Sequence, residues 1–282
     1  MRLVRYGDIG AEKPGILDDQ GQIRDLSGLL PDIGPAQLSP SSLAALRSLD
    51  LSALPVVGGN PRLGAPVGGV GKMICLGLNY LDHAREVNKE PPVEPQIFNK
   101  AINSLCGPND PIIRPKNSQK LDHEIELAIV FGSTCRYVSE EDALNYVAGY
   151  CTFNDVSERA FQMEHGGGSV KGKSADNFGP LGPWLVTADE VGDAGNLKIW
   201  CEVNGTRHQD GTTADLVFGV RKAIANLSQF MTFLPGDVMA TGTPAGVGHG
   251  AKPPRYMQPG DVVRCGIEGL GEQEHTVVEY SA

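Results

Sequence analysis

Residues 121–130 constrain the fold most, because they place acids inside a segment that otherwise has the composition of a buried strand. Side chains of a strand alternate between its two faces, so Asp122, Glu124 and Glu126 are predicted to share one face. That face becomes apolar further along the segment, which a face in contact with water has no reason to do. The stretch therefore predicts a strand that carries acids into a core.

Glu124 and Glu126 are suited to bind a metal ion. Their backbones lie about 6.5–7 Å apart in an extended strand. Two carboxylates at this spacing can converge on one divalent cation such as Mg²⁺, which prefers oxygen ligands and leaves positions open for water or substrate. Asp155 follows the apolar run 147–153 and is the simplest candidate for a third metal ligand, although an Asp there can equally cap a turn. The alternative for the pair is a half-solvated strand with a charged outer face.

Charge and cysteine content limit the class of protein. The 282 residues include 24 Lys and Arg and 34 Asp and Glu, which gives a formal net charge of −10. Nucleic acids and anionic membranes demand a basic surface, so neither is expected as the main partner. The six cysteines are widely spaced and are expected to be reduced and buried. No signal-peptide core and no run of about 18 apolar residues is visible, so the expected location is the cytoplasm.

The pattern of short apolar runs predicts an α+β protein that is mainly β. Residues 1–70 are predicted to form a small N-terminal α/β domain with three strands and a helix that begins after Ser39. Residues 71–282 have strand-like runs separated by Gly and Pro turns. Only two well-defined helices are predicted there, one capped by Ser139 and one over residues 217–231. Helices this sparse cannot cover both faces of a doubly wound parallel sheet.

His83 and Glu86 form a candidate pair for acid–base chemistry. They are three residues apart at a predicted helix start and would share one helix face. A carboxylate beside an imidazole fixes its tautomer and raises its basicity, which suits a general base acting on water. Two alternatives stay open, namely a solvated His/Glu pair and His83 as a metal ligand.

Residues 167–174 match the P-loop pattern G-x-x-x-x-G-K-S, which is typical of nucleotide binding. A working P-loop needs a buried strand before it and a helix after it, but here polar residues precede the match and prolines follow it. We interpret the match as accidental. What is left is a glycine-rich loop that carries Lys171 and Lys173. It could close over an anionic substrate or simply be a solvated loop. Residues 241–248 end another predicted strand, and backbone amides there could receive a carboxylate.

Taken together and in this order, the segments resemble the fumarylacetoacetate hydrolase family. The matching pieces are Gly77-Leu78-Asn79-Tyr80 with His83 and Glu86, Asp122-x-Glu124-x-Glu126-Leu127, Asn154-Asp155-Val156-Ser157, Gly172-Lys173-Ser174 and Thr241-Gly242-Thr243-Pro244-x-Gly246-Val247-Gly248. They are spread over about residues 72–280. The resemblance implies a β-roll catalytic domain over residues 71–282 and a homodimer. His123 stands where an aromatic residue is usual in the family.

The resemblance also implies roles for individual residues. It implies Mg²⁺ or Mn²⁺ on Glu124, Glu126 and Asp155, and a His83–Glu86 dyad that activates water. Lys173 would steady the substrate or the developing oxyanion as a third catalytic residue. Substrate contacts would come from Tyr80, Arg159, Gln162 and Thr243.

Within the family, the leading unit and the runs 157–162 and 266–273 are similar to the sugar-acid branch, whose members are often labelled ureidoglycolate lyase. This implies hydrolysis of the C3–C4 bond of a small anionic 2,4-diketo acid. The expected substrate is L-2,4-diketo-3-deoxyrhamnonate or its fuconate analogue, cleaved to pyruvate plus lactate in the L-rhamnose pathway. The alternatives are an isomerase or an oxaloacetate decarboxylase of the same family. Two further alternatives belong to other functional classes. One is a nucleotide-binding protein that uses residues 167–174, and the other is a non-catalytic metal- or anion-binding protein.

Overall fold

In the computed structural model, which describes residues 1–281, strands dominate and helices are short. The strands are β1 Arg2–Tyr6, β2 Lys13–Leu17, β3 Ile23–Asp25, β4 Met73–Gly77, β5 Gln96–Asn99, β6 Leu105–Cys106, β7 Ile112–Arg114, β8 Leu121–Asp122, β9 Ile125–Phe131, β10 Val147–Asn154, β11 Ser157–Glu158, β12 Gly179–Pro180, β13 Leu185–Thr187, β14 Lys198–Val203, β15 Thr206–Thr212, β16 Val238–Ala240, β17 Val262–Ile267 and β18 Gly271–Glu279. The α-helices are α1 Pro40–Arg47, α2 Leu81–Glu86, α3 Arg159–Met163, α4 Ser169–Lys173, α5 Ala188–Val191 and α6 Val220–Ser228. The prediction of an α+β, mainly β, protein is confirmed. Within the described range, no helix is long and apolar enough to cross a membrane.

Two sheets make up most of the fold. The larger has nine strands in the order β3-β2-β1-β13-β10-β9-β16-β4-β5, and the smaller has five in the order β15-β14-β17-β18-β7. The predicted strands of the N-terminal part are present and form one edge of the larger sheet, where β1 pairs antiparallel with β13. The division at residue 70 stays a prediction.

Strand β9 is central, and its side chains alternate between two cores. Ile125, Leu127 and Ile129 pack with residues of the smaller sheet such as Ile199 and Val263. Ala128 and Val130 alternate with these residues along the strand and pack on the opposite face with apolar residues of the N-terminal part. Because apolar groups cover both faces, β9 is buried throughout, and the half-solvated alternative is wrong for this strand.

The helix predictions have mixed outcomes. Helix α1 begins after Ser39, whose hydroxyl accepts a hydrogen bond from the Ser42 N–H, as its capping role requires. Helix α6 lies within the predicted range 217–231. The helix predicted after Ser139 is wrong, because the chain forms only a short 3₁₀ turn over Ala143–Tyr146. The Ser139 hydroxyl bonds locally to Asp142 and does not start an α-helix.

Strand ends converge beside β9. β10 and β16 flank β9 antiparallel, with Phe153 opposite Glu126 and Ala240 opposite Ala128. β4 lies beyond β16 and runs parallel to it. The segments that leave β10, β16 and β4 therefore meet the segment that enters β9, and they carry the predicted acids, the 241–248 loop and the His83 helix.

Candidate active site

Three buried carboxylates meet where β9 begins. Asp155 follows β10 directly, and its N–H donates to the Glu124 carbonyl oxygen at 2.8 Å. Glu126 lies opposite Phe153 in the same strand pair. One oxygen from each of Glu124, Glu126 and Asp155 lies within 4.8 Å of the others, and all three residues are buried. The structure therefore brings together the three acids that the sequence singled out.

Asp122 does not join this acid group. The predicted continuous strand is broken at His123 and Glu124, so the regular alternation of faces is lost between β8 and β9. The Asp122 carboxylate instead accepts hydrogen bonds from the backbone N–H groups of Gly248 and His249 and pairs with Arg159 at 2.8 Å.

Buried cations accompany two of the acids. Lys173 Nζ lies 2.6 Å from Glu124 Oε2 and 2.6 Å from Asp155 Oδ2. Lys100 Nζ lies 2.6 Å from the other oxygen of Asp155, and an Arg159 Nη2 lies 2.6 Å from Glu124 Oε1. Glu126 is different, since it accepts an N–H from Gly242 at 2.8 Å but forms no ion pair with any residue in the described range.

The electrostatics fit a divalent ion at this place. Burial raises the pKa of Glu126, and the negative charges of Asp155 and Glu124 raise it further. Burial acts the same way on Glu124, but Arg159 and Lys173 outweigh it and lower the pKa of that carboxyl. For Lys173, burial favours the neutral amine, yet the carboxylates of Asp155 and Glu124 raise its pKa overall. Three oxygen donors, one of them lacking a cationic partner, match the preference of Mg²⁺ or Mn²⁺ for carboxylate ligands.

His83 and Glu86 form the predicted pair on helix α2. His83 Nδ1 lies 3.0 Å from Glu86 Oε2, and the other Glu86 oxygen accepts the Gly246 N–H at 2.8 Å. A carboxylate can only accept, so Nδ1 carries the proton and Nε2 keeps its lone pair. His83 is only 8% exposed and lines the same cavity as Glu124 and Glu126. The arrangement is that of a general base oriented by a carboxylate.

Two positions of the 241–248 loop whose backbone N–H groups donate to site carboxylates require glycine. Gly242, which donates to Glu126, has φ +95°, and a Cβ there would lie 2.9 Å from the Cβ of Asn79. Gly246, which donates to Glu86, has φ +106°, and its Cβ would lie 1.9 Å from the His208 carbonyl oxygen. Backbone amides can approach both carboxylates because these positions lack a side chain.

A cavity of about 430 Å³ opens onto the site, and most of the predicted residues line it. Gln162 accepts from Arg159 Nη1 at 3.2 Å through its Oε1, which leaves its NH₂ group free to donate into the cavity. Thr243 lines the wall, and its hydroxyl donates to the Ile125 carbonyl oxygen. Arg159 also lines the cavity, although its guanidinium is held by Asp122 and Glu124.

Tyr80 is the predicted substrate contact that the structure leaves outside the cavity lining. It is fully buried, and its hydroxyl has no hydrogen-bond partner among residues 1–281. Burial, followed by the charge of Glu126, raises its pKa.

Two residues of the site were not predicted. Lys100 has nothing in its spacing to mark it, because it is an isolated lysine that follows β5 and only the fold directs it onto Asp155. His249 lines the cavity, and its Nδ1 lies 3.0 Å from the Tyr256 hydroxyl. Burial and then the charge of Arg159 lower the His249 pKa. The available signal in the sequence was its position directly after Gly248, at the end of the 241–248 loop.

The surroundings of residues 167–174 differ from those of a P-loop. Helix α3 precedes the segment where a buried strand would be required, and the segment itself contains the short helix α4. Lys173 points into the acid group and forms its ion pairs there.

Comparison with known proteins places the chain among related enzymes. Residues 72–278 match the family model described as fumarylacetoacetate (FAA) hydrolase, C-terminal. A protein from Burkholderia lata, provisionally named as a hydrolase, is 56% identical over 278 residues, which are 98% of this chain and 99% of that protein.

Solved structures with the same fold include both hydrolases and isomerases. A maleylpyruvate hydrolase from Sphingobium sp. SYK-6, in complex with manganese(II) and pyruvate, is 31% identical with a TM-score of 0.83 over 100% of both chains. A probable 2-hydroxyhepta-2,4-diene-1,7-dioate isomerase from Mycobacterium abscessus is 30% identical with a TM-score of 0.85, also over 100% of both chains. The matched family and these full-length similarities show that the chain belongs to the fumarylacetoacetate hydrolase family.

Proposed function

We propose that this protein is a divalent-metal-dependent hydrolase that cleaves the C3–C4 bond of a 2,4-diketo acid and releases pyruvate. The observation that carries the proposal is that one cavity is lined by two members of the acid group, Glu124 and Glu126, and by a histidine oriented by a carboxylate. The Sphingobium hydrolase, with manganese and pyruvate bound, supports the same chemistry.

Glu124, Glu126 and Asp155 would hold the metal. When bound, the ion supplies positive charge to the 2-oxo-carboxylate end of the substrate as negative charge develops there. Lys173 holds the carboxylates of Glu124 and Asp155 in place through its two contacts of 2.6 Å, and its charge lowers the pKa of Glu124. Its buried ammonium group also adds to the positive charge at this end of the cavity.

His83 and Glu86 would activate the water. His83 Nε2 accepts a proton from water as the water oxygen bonds to C4 of the substrate, and Glu86 stabilises the imidazolium that forms. The C3–C4 bond then breaks with its electron pair on C3, which takes a proton to become the methyl group of pyruvate. The water oxygen leaves in the carboxylate of the second acid.

The finer substrate assignment rests on the resemblance to the sugar-acid branch. We propose L-2,4-diketo-3-deoxyrhamnonate, or the fuconate analogue, as the natural substrate, with pyruvate plus lactate as products. Its hydroxyl group is compatible with the polar side chains in the wall, including Gln162, Ser169 and His249.

The test is a turnover screen of several 2,4-diketo acids, including simple acylpyruvates, with Mg²⁺ or Mn²⁺ and detection of pyruvate. The proposal expects pyruvate release that stops with a chelator and returns with the metal. His83→Ala should slow release by about 10²–10⁴-fold. His165→Ala, which changes an exposed histidine, is the matched control. Full activity in the chelated protein would contradict the proposal.

An isomerase is the second candidate, favoured by the similarity to the Mycobacterium abscessus protein. It would share the metal and the acid group but would need no base for water. The two candidates differ in their products, because only hydrolysis yields pyruvate and a second acid. Conversion of a hydroxydienoate to its isomer without any pyruvate would favour this candidate.

A further inference from the structure

A second cavity, of about 280 Å³, is lined by two histidines that the proposed reaction does not use. It shares Val247 with the wall of the active-site cavity. His123 lies at the break between β8 and β9, and His208 lies on β15 of the smaller sheet. The centroids of their rings are 5.9 Å apart.

The surroundings of His123 determine which of its nitrogens carries the proton. Gln209 Nε2 donates to the Pro244 carbonyl oxygen, and its Oε1 accepts the Ile125 N–H, so backbone groups fix the orientation of the amide. The same Oε1 lies 3.1 Å from His123 Nδ1. An amide oxygen can only accept, so Nδ1 is the protonated nitrogen and Nε2 has a lone pair.

The lone pair of His123 is unused in the fold. His123 is only 3% exposed, and its Nε2 has no hydrogen-bond partner in residues 1–281. His123 lines the cavity, so a ligand held there can supply the missing partner.

His208 offers a second imidazole of the same kind. Its ring makes no hydrogen bond within the described part of the chain. Burial lowers the pKa of His208, and the neighbouring His123 and Arg255 lower it further, which favours the neutral ring. Neutral imidazole is the form that binds metals.

We infer that His123 and His208 form a bis-imidazole site for a borderline divalent ion such as Zn²⁺, Ni²⁺ or Cu²⁺. Two imidazoles bonded to one zinc at about 2.0–2.1 Å have ring centroids roughly 5–6 Å apart, which fits the observed separation. Metal-binding histidines usually donate their other N–H to an oxygen, as His123 does to Gln209.

Water would complete the coordination. Asp261 also lines the cavity, but its carboxylate already accepts hydrogen bonds from the Asn204 side chain and the Gln258 N–H. Among the described residues that line the cavity, Asp261 is the one carboxylate, and hard ions such as Mg²⁺ need several oxygen donors. The site is therefore distinct from the acid group, which offers oxygen donors alone.

The test is a calorimetric titration of the folded protein with Zn²⁺ while excess Mg²⁺ occupies the acid group. The native protein is expected to bind one zinc ion that His208→Ala binds at least about 10-fold more weakly. His208 is half-buried, so the variant should fold, and His165→Ala should bind as the native protein does. Equal zinc binding in the native protein and His208→Ala would overturn the inference.

Two further measurements do not depend on a variant. With Cu²⁺ as the probe, electron paramagnetic resonance should detect coupling to two imidazole nitrogens. Nitrogen-15 NMR of the metal-free protein should show the Nδ1-protonated tautomer of His123. Coupling to fewer than two nitrogens, or a proton on His123 Nε2, would contradict the site.

Discussion

Replacing Glu86 by glutamine tests whether this carboxylate sets the tautomer of His83, the proposed general base. Glu86 uses one oxygen for the Gly246 N–H and the other for His83 Nδ1. A glutamine has one oxygen, and the Gly246 N–H can only donate, so the oxygen stays there and the NH₂ group turns toward His83. Nδ1 must then accept, the proton moves to Nε2, and the lone pair that takes the proton from water is lost.

The expected loss follows from this change of tautomer. Removing a general base costs about 10²–10⁴-fold in rate, and an amide in place of the carboxylate of a catalytic triad costs about 10⁴-fold. We expect kcat of Glu86→Gln to fall by about 10²–10⁴-fold, which raises the barrier by about 3–5 kcal/mol. KM and metal affinity should change little, because Glu86 contacts neither the acid group nor its cations.

The assay is steady-state pyruvate release from an acylpyruvate at saturating Mg²⁺, with metal binding measured in parallel by calorimetry. Glu90→Gln is the matched control, because Glu90 is exposed and close in sequence, and it should keep the native kcat. A Glu86→Gln protein that folds normally and keeps kcat within about threefold would refute the tautomer argument.

Three further predictions concern the acid group. Glu126→Gln should weaken Mg²⁺ or Mn²⁺ binding by at least about 10-fold in calorimetry, since an ion with two carboxylates is poorly held; undiminished binding would contradict the ligand assignment. Burial and neighbouring carboxylates raise the pKa of Glu126, so a proton competes with the metal for this carboxylate. The metal affinity should therefore fall as the pH is lowered, and metal binding should release protons. Calorimetry in buffers of different ionisation enthalpy measures this proton release. Lys100→Met should lower the free energy of unfolding, measured by urea denaturation, by about 3–5 kcal/mol, because it leaves buried Asp155 with one partner fewer. The control Lys116→Met, on the exposed surface, should change the free energy of unfolding by less than about 0.5 kcal/mol.

The sequence was most informative where local periodicity decides the structure. The alternation over residues 125–130 predicted which side chains share a face, and the two cores on either side of β9 confirm it. The three-residue spacing of His83 and Glu86 predicted their contact, since a helix turn places them together whatever the rest of the fold does.

Contacts between distant segments could not be predicted in the same way. The residue spacing did not indicate that β8 and β9 would separate at His123. Because the strands separate there, Asp122 contacts Arg159 and the loop at residues 246–249. Lys100 reaches Asp155 across 55 residues of sequence, so only the register of the sheet brings them together. Tyr80 belongs to a matching motif, but a motif does not specify whether a side chain faces the cavity or the core behind it.

Hydrolysis in water enriched in oxygen-18 tests the central claim most directly. The metal-loaded protein would be given an acylpyruvate, and the products would be analysed by mass spectrometry after a short reaction. The account predicts equal amounts of pyruvate and a second carboxylic acid, with at least one solvent oxygen in the new carboxylate. The same products should form about 10²–10⁴-fold more slowly with His83→Ala. Turnover of the diketo acid or of a hydroxydienoate without pyruvate and without a newly labelled carboxylate would contradict it.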